Sequence, residues 1–129
     1  MVPDPASAVL VVLLPAALGG ALASFAGVAF DRLPRRESLG GRSRCRCGTQ
    51  VRAVDNVPVL SWVRLRGQAR CCGAEIPARY LFSEAAAVAG GASAGLAVLL
   101  TGSAPAAAAL LVGGVVAAVA MLWWAHHRA

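Results

Sequence analysis

The sequence predicts an all-α polytopic membrane protein: about three transmembrane helices, with a small zinc-ribbon-like cytoplasmic loop domain after the first. Three observations lead there. Charged residues make up only 14% of the chain and hydrophobic residues 58%, against about 25% and 45–50% in a soluble domain. This excludes an ordinary cytosolic globule, and a disordered tail would be polar. The charges are also segregated, with residues 31–84 holding 11 of the 12 arginines and five of the six acids. All four cysteines fall in that same stretch. The net charge of +6 invites a nucleic-acid reading, but the arginines are confined between apolar runs, and no nucleic-acid partner is expected.

The chain divides into residues 1–30, an N-terminal transmembrane helix; 31–84, an Arg- and Cys-rich loop domain; and 85–129, a transmembrane helical hairpin. The first arm carries no charge from Pro5 to Phe30, long enough for a span of about 20 residues. A cleaved signal peptide competes for it but needs a basic start; Met1-Val2-Pro3-Asp4-Pro5 offers an acid and no base. Pro15 lies inside the span and reads as a simple kink. The arm Ala85–Ala125 is long enough for two spans, broken at Thr101-Gly102-Ser103-Ala104-Pro105 by turn-forming residues. Helices are expected near 7–30, 83–101 and 105–125. Gly91 and Gly95 form a GxxxG pair, and Ala23 and Gly27 repeat the spacing. Such pairs permit close helix approach in lipid but also arise by chance in an Ala-rich chain.

A short Arg-rich loop stays cytoplasmic. The N-terminus and the 101–105 turn are then outside, and His126-His127-Arg128 end inside. The lipid bilayer is the first partner. Trp123 and Trp124 fall at the cytoplasmic interface, and the His pair reads as an interfacial tail rather than a metal site.

Cys45, Cys47, Cys71 and Cys72 carry the chemistry of the loop. A cytosolic loop stays reduced, and four thiolates in two close pairs suggest a tetrahedral zinc site. The pairs form a degenerate repeat, Cys47-Gly48-Thr49-Gln50-Val51 and Cys72-Gly73-Ala74-Glu75-Ile76. Glycine after the second cysteine permits the tight turn of a knuckle. The CxC and CC spacings are tighter than the usual CxxC, so two other readings stand beside zinc: reduced, idle thiols in a loop held by packing, and a redox pair. Between the pairs, Asp55-Asn56-Val57-Pro58 reads as a turn. An apolar stretch follows (Val59, Leu60, Trp62, Val63, Leu65) and ends at Gly67. Arg64, Arg66 and Arg70 surround it and suit anionic lipid headgroups. Arg79 and Tyr80 read as interface anchors, and Glu84 as the acid at a helix start.

Taken in order, the span, Ser24-Phe25, Arg32-Leu33-Pro34, a cysteine pair, Asp55-Asn56-Val57-Pro58-Val59-Leu60-Ser61-Trp62, Leu65-Arg66-Gly67, a cysteine pair, Arg79-Tyr80 and Glu84 resemble the N-terminal part of the type IV prepilin peptidases. These are polytopic enzymes of the bacterial inner membrane, in pilus and type II secretion systems. The resemblance covers about residues 20–90, and the Asp55–Trp62 segment with Arg66-Gly67 is its specific part. It implies a role in leader cleavage and N-methylation of prepilin-like substrates, with S-adenosylmethionine as methyl donor and the cysteine loop on the methylation side. Asp55, Asn56, Pro58, Trp62, Arg66, Arg79 and Glu84 are family-motif positions without an assigned role.

The sequence departs from the family in several places. The Gly-x-Gly-Asp motif of the peptidase half is absent. The aspartates Asp4, Asp31 and Asp55 are expected outside the spans, so no catalytic residue is nominated and no protease activity is expected of this chain alone. Ala69 stands where a cysteine is usual, Gly27 where Asn is frequent, and Leu81 where Pro is usual. The leading expectation is an N-terminal half of a prepilin-peptidase-like protein, either serving beside a separate peptidase half or left as a degenerate remnant. The alternatives are a non-enzymatic membrane adaptor with a zinc-type loop and a membrane thiol oxidoreductase.

Overall fold

The computed structural model describes residues 4–128; Met1–Pro3, which entered the signal-peptide reading, and Ala129 lie outside the described residues. Three long helices dominate: α1 (Pro5–Arg32), α3 (Ala78–Thr101) and α4 (Ala104–Arg128). Between α1 and α3 lie a 3₁₀ turn (Ala53–Asp55) and a short helix α2 (Leu60–Arg64). At 1.5 Å per residue each long helix exceeds about 35 Å, more than the ~30 Å of a bilayer core. All three are apolar enough to cross a membrane, and the chain is a multi-pass membrane protein.

Each boundary has a local cause. Asp4 caps α1, its carboxylate accepting from the Ala6 and Ser7 amides at 3.0 and 3.1 Å, and Pro5 takes the first turn, where its missing N–H costs nothing. The second long helix begins at Ala78, five residues before the expected start, because Pro77 serves as its N-cap residue. Arg79 and Tyr80 are therefore helical, and Glu84 lies in the second turn rather than at the helix start. Asp31 likewise lies in the last turn of α1, since that helix runs on to Arg32. Gly102, at φ +65, ends α3 in the left-handed conformation. Ser103 then opens α4, its hydroxyl accepting from the Ala106 amide at 3.4 Å. The His pair extends α4, with the His127 ring at 2.8 Å from the Trp123 carbonyl and the Arg128 guanidinium 3.9 Å above the Trp124 ring.

Helix α3 is central and packs on both α1 and α4. Ala23, Ala87 and Ala118, one from each helix, form the buried core, with Val115 against it. The small residues are structural contacts and not accidents of composition. A Cβ on Gly91 would lie 2.0 Å from the Pro15 carbonyl oxygen, and one on Gly95 would lie 2.2 Å from that of Val11. The Val11 carbonyl is the one that Pro15, four residues on, leaves without an N–H, so the GxxxG face of α3 covers the defect in α1. Gly90 and Gly114 meet in the same way at the crossing of α3 and α4. Large side chains such as Leu10, Leu14, Val112 and Val116 point outward, as lipid-facing residues do.

Candidate metal centre

Two small knuckles make up the outer part of the loop. In the first, Arg44 bridges Gln50, the Cys45 amide donates to the Thr49 carbonyl, and the Gly48 amide donates back to the Cys45 carbonyl, both at 2.8 Å. In the second, Gln68 bridges Glu75, the Ala69 amide donates to Ala74, and the Gly73 amide to Ala69, again at 2.8 Å. Gly48 and Gly73 close these turns at φ +85 and +69, a region that favours glycine.

The paired knuckles explain the odd spacing of the cysteines. On the backbone Ala69 takes the place of Cys45, but the second turn carries one residue more. That residue lets Cys71 supply the sulfur that position 69 lacks, beside Cys72. The Sγ atoms of Cys47 and Cys71 lie 3.3 Å apart, those of Cys45 and Cys72 3.5 Å, and those of Cys71 and Cys72 3.9 Å. All four lie within 4.8 Å of one another. A tetrahedral site with Zn–S bonds of ~2.3 Å requires S···S edges of about 3.8 Å. The four sulfurs thus already outline a metal-sized shell, and neighbouring cysteines are no obstacle to it.

Cys47 and Cys71 are driven in opposite directions. The Thr49 hydroxyl and amide bring the Cys47 thiol down to about 6, whereas hydrogen bonding to Cys45 and Cys47 pushes Cys71 up to about 12. Like charges this close cannot all ionise together, and a bound cation would reverse that.

Asp55 joins the second knuckle to the turn that precedes α2. Its side chain, only 6% exposed, accepts from Arg64 at 2.5 Å and from Arg70 through two bonds of 2.9 Å. The Arg70 bonds hold its carboxyl below the usual carboxylate range, with Arg64 adding to the effect. Arg64 and Arg70, expected at lipid headgroups, form the clamp of this turn while each side chain stays about half exposed. Ser61 closes the turn from inside, accepting from the Val57 amide at 2.7 Å and donating to the Val54 carbonyl at 3.2 Å. Trp62 donates from Nε1 to the Ile76 carbonyl at 3.0 Å and packs on Gly67, where a Cβ would lie 2.8 Å from the ring. Arg66, at φ +52, makes the bend before it, and Asn56 ends the 3₁₀ turn, its amide donating to Ala53 at 3.1 Å.

Pro58 and Glu84 dock the loop on the helices. The Leu60 amide donates to the Pro58 carbonyl at 2.6 Å, and Val59 sits at φ +63, ψ −54, the rare, strained form of γ-turn. Glu84 braces it, accepting the Val59 amide at 2.8 Å. Nearer the helix ends, Asp31 accepts from the Tyr80 hydroxyl and lies 3.6 Å from Arg79. Arg32 gathers the start of the loop by donating to the carbonyls of Ser38 and Gly40, both at 2.9 Å. Sequence reasoning missed Asp31, Ser61 and Arg32 as organisers. The signal was position alone: Arg32 and Ser61 fall within quoted motifs, and Asp31 adjoins one.

Residues 17–98 match the family described as the Bacterial Peptidase A24 N-terminal domain. Among curated proteins, one from Dichelobacter nodosus is 54% identical over 43 residues, 33% of this chain and 15% of its own length. One from Myxococcus xanthus is 43% identical over 65 residues, 49% of this chain and 19% of its own length. One from Burkholderia pseudomallei is 49% identical over 76 residues, 56% of this chain and 25% of its own length. All three bear the name prepilin leader peptidase/N-methyltransferase, and the matched segments cover a quarter or less of each. No solved structure matches.

Proposed function

The chain belongs to the Bacterial Peptidase A24 N-terminal domain family, and on that premise we propose that it is the membrane-embedded N-terminal module of a prepilin-peptidase-type system. In this reading it anchors and shapes a zinc-held loop on the cytoplasmic face of the inner membrane, and a separate set of helices supplies leader cleavage. The observation that carries this is the commitment of both aspartates in residues 31–84, and of Glu84. Asp55 is held by Arg64 and Arg70, Asp31 by Tyr80 and Arg79, and Glu84 by the Val59 amide. An aspartic dyad needs two carboxylates sharing one proton, and these three each have a structural partner.

The donor set fits zinc: four sulfurs at tetrahedral spacing, with soft thiolate character. Cys45, Cys47, Cys71 and Cys72 would hold the ion, which would pin the two knuckles together. A closed four-sulfur shell leaves no position for water, so the metal's role is structural. S-adenosylmethionine fits less well. The cavity between the loop and the helix ends is lined by arginines, among them Arg32, Arg42 and Arg52, and also by the acids Asp31, Glu37, Asp55, Glu75 and Glu84, a mixed lining with no feature specific to a sulfonium centre. No methyl-transfer step is derived from these residues.

Incubation of the purified chain with a prepilin substrate tests the reading. No leader peptide should be released, and adding membranes that carry an aspartic dyad should restore release. Cleavage by the chain alone, abolished in Asp31→Asn or Asp55→Asn, would overturn it. For the orientation, a membrane-impermeant thiol reagent should label the cysteines only after lysis in the presence of a chelator. Labelling of intact cells would place the loop outside and favour the oxidoreductase reading.

A further inference from the structure

The γ-turn at Val59 lies deeper along the helices than a solvated loop would. Pro58 packs on Gly20 of α1, where a Cβ would lie 3.2 Å from the proline and 2.8 Å from the Val88 side chain of α3. Gly20 is about 18 Å along α1 from Arg32. The crossing of Gly90 with Gly114 sets the antiparallel register of α3 and α4, in which Trp123 is level with Leu81. If the paired tryptophans mark the interface, as indoles do, Val88 and the Pro58 against it lie about 10 Å below it.

The tip is built for such a place. Backbone at membrane depth must satisfy its donors internally, and this one does. The Val57 amide donates to Ser61 Oγ at 2.7 Å, and the Val59 amide to Glu84 at 2.8 Å. The Leu60 amide donates to Pro58 at 2.6 Å, and the Ser61 amide to Val57 at 3.0 Å. Pro58 has no N–H to satisfy. The side chains of the tip are apolar yet uncovered by protein: Leu60 is 68% and Val63 58% exposed. With Val54, Val57, Ser61 and Arg64 they line one shallow groove. Arg64 is the one charge in that lining, and it is paired with Asp55, which Arg70 holds as well.

We propose that the segment Val57–Leu60 is a wedge immersed in the leaflet on the loop's side, its groove covered by lipid acyl chains. The depth, the closed donor set and the exposed apolar side chains all favour acyl chains over water. Glu84 then acts in place of solvent, because its carboxylate replaces the water that a γ-turn amide would otherwise require. The inference rests on the membrane-spanning fold and is independent of the zinc reading.

The test uses the unmodified chain, methyl-labelled at Leu and Val, in vesicles of phosphatidylcholine and phosphatidylglycerol. The Leu60 signal is assigned by its loss in Leu60→Ile. A lipid spin-labelled in mid-chain should remove most of the Leu60 intensity, while a water-soluble gadolinium chelate leaves it. Leu39, on the Arg-rich part of the loop, should respond in the opposite way. Broadening of Leu60 by gadolinium would overturn the proposal in favour of a solvated tip. Broadening by neither agent would overturn it in favour of contact with a second copy of the chain.

Discussion

Gly91→Ala adds one methyl group at the most restrictive contact in the helix bundle. The new Cβ would lie 2.0 Å from the Pro15 carbonyl oxygen and 2.7 Å from the Ala16 nitrogen. A tolerated C···O approach is about 3.3–3.6 Å, so α1 and α3 must part by roughly 1.3 Å or more. Both obstructing atoms are backbone and cannot swing aside as a side chain would. Parting the helices also lifts Gly95 from the Val11 carbonyl that Pro15 leaves exposed. Overpacking of this kind costs about 1–3 kcal/mol, set against a helix-propensity gain of about 1 kcal/mol for replacing glycine. Gly113→Ala on α4 isolates the second effect, because a Cβ there meets nothing within 4 Å. Unfolding in mixed micelles, followed by circular dichroism, should show Gly91→Ala destabilised and Gly113→Ala unchanged or slightly stabilised. Equal behaviour of the two variants would refute the claim that α1 and α3 pack through their glycine face.

Two further predictions concern the loop. Because the folded state lowers the Asp55 pKa, its contribution is fully present above the unfolded carboxylate range and is lost as pH falls through the folded value; protease resistance of the loop should therefore separate wild type from Asp55→Asn at neutral pH, and the two should converge in acid. The one-residue offset between the knuckles predicts that Cys71→Ala loses metal and that adding Ala69→Cys restores it by re-creating a CxxC pair; failure of the double variant would show that position 69 does not stand in for Cys45.

The helical layers were legible because a spanning helix needs a long uncharged run, and Pro5–Phe30 and Ala85–Ala125 are such runs. Their ends were less so, because polar residues in terminal turns read as loop. Asp31, Arg79, Tyr80 and Glu84 all lie in helices, where they bond to one another or to the loop. Composition could not separate Gly91 and Gly95 from chance pairs in an Ala-rich chain, since only the opposing backbone reveals the contact. The four cysteines were legible as one candidate zinc site, but how their spacing allows a shared shell was not. CxC and CC look too tight until the second turn is seen to carry an extra residue. The clamp on Asp55 escaped notice because Arg64 and Arg70 lie nine and 15 residues beyond it, and sequence separation hides such convergence.

The central claim is that Cys45, Cys47, Cys71 and Cys72 form one closed metal shell that holds the loop together on its membrane anchor. Elemental analysis of the chain purified without chelator tests it most directly. About one zinc per chain is expected from a four-thiolate site. Cys47→Ser and Cys72→Ser should each lose it and leave a protease-sensitive loop on intact spans. Metal-free protein with a protease-resistant loop would contradict the account and assign the order of the loop to Trp62, Ser61 and the Asp55 clamp.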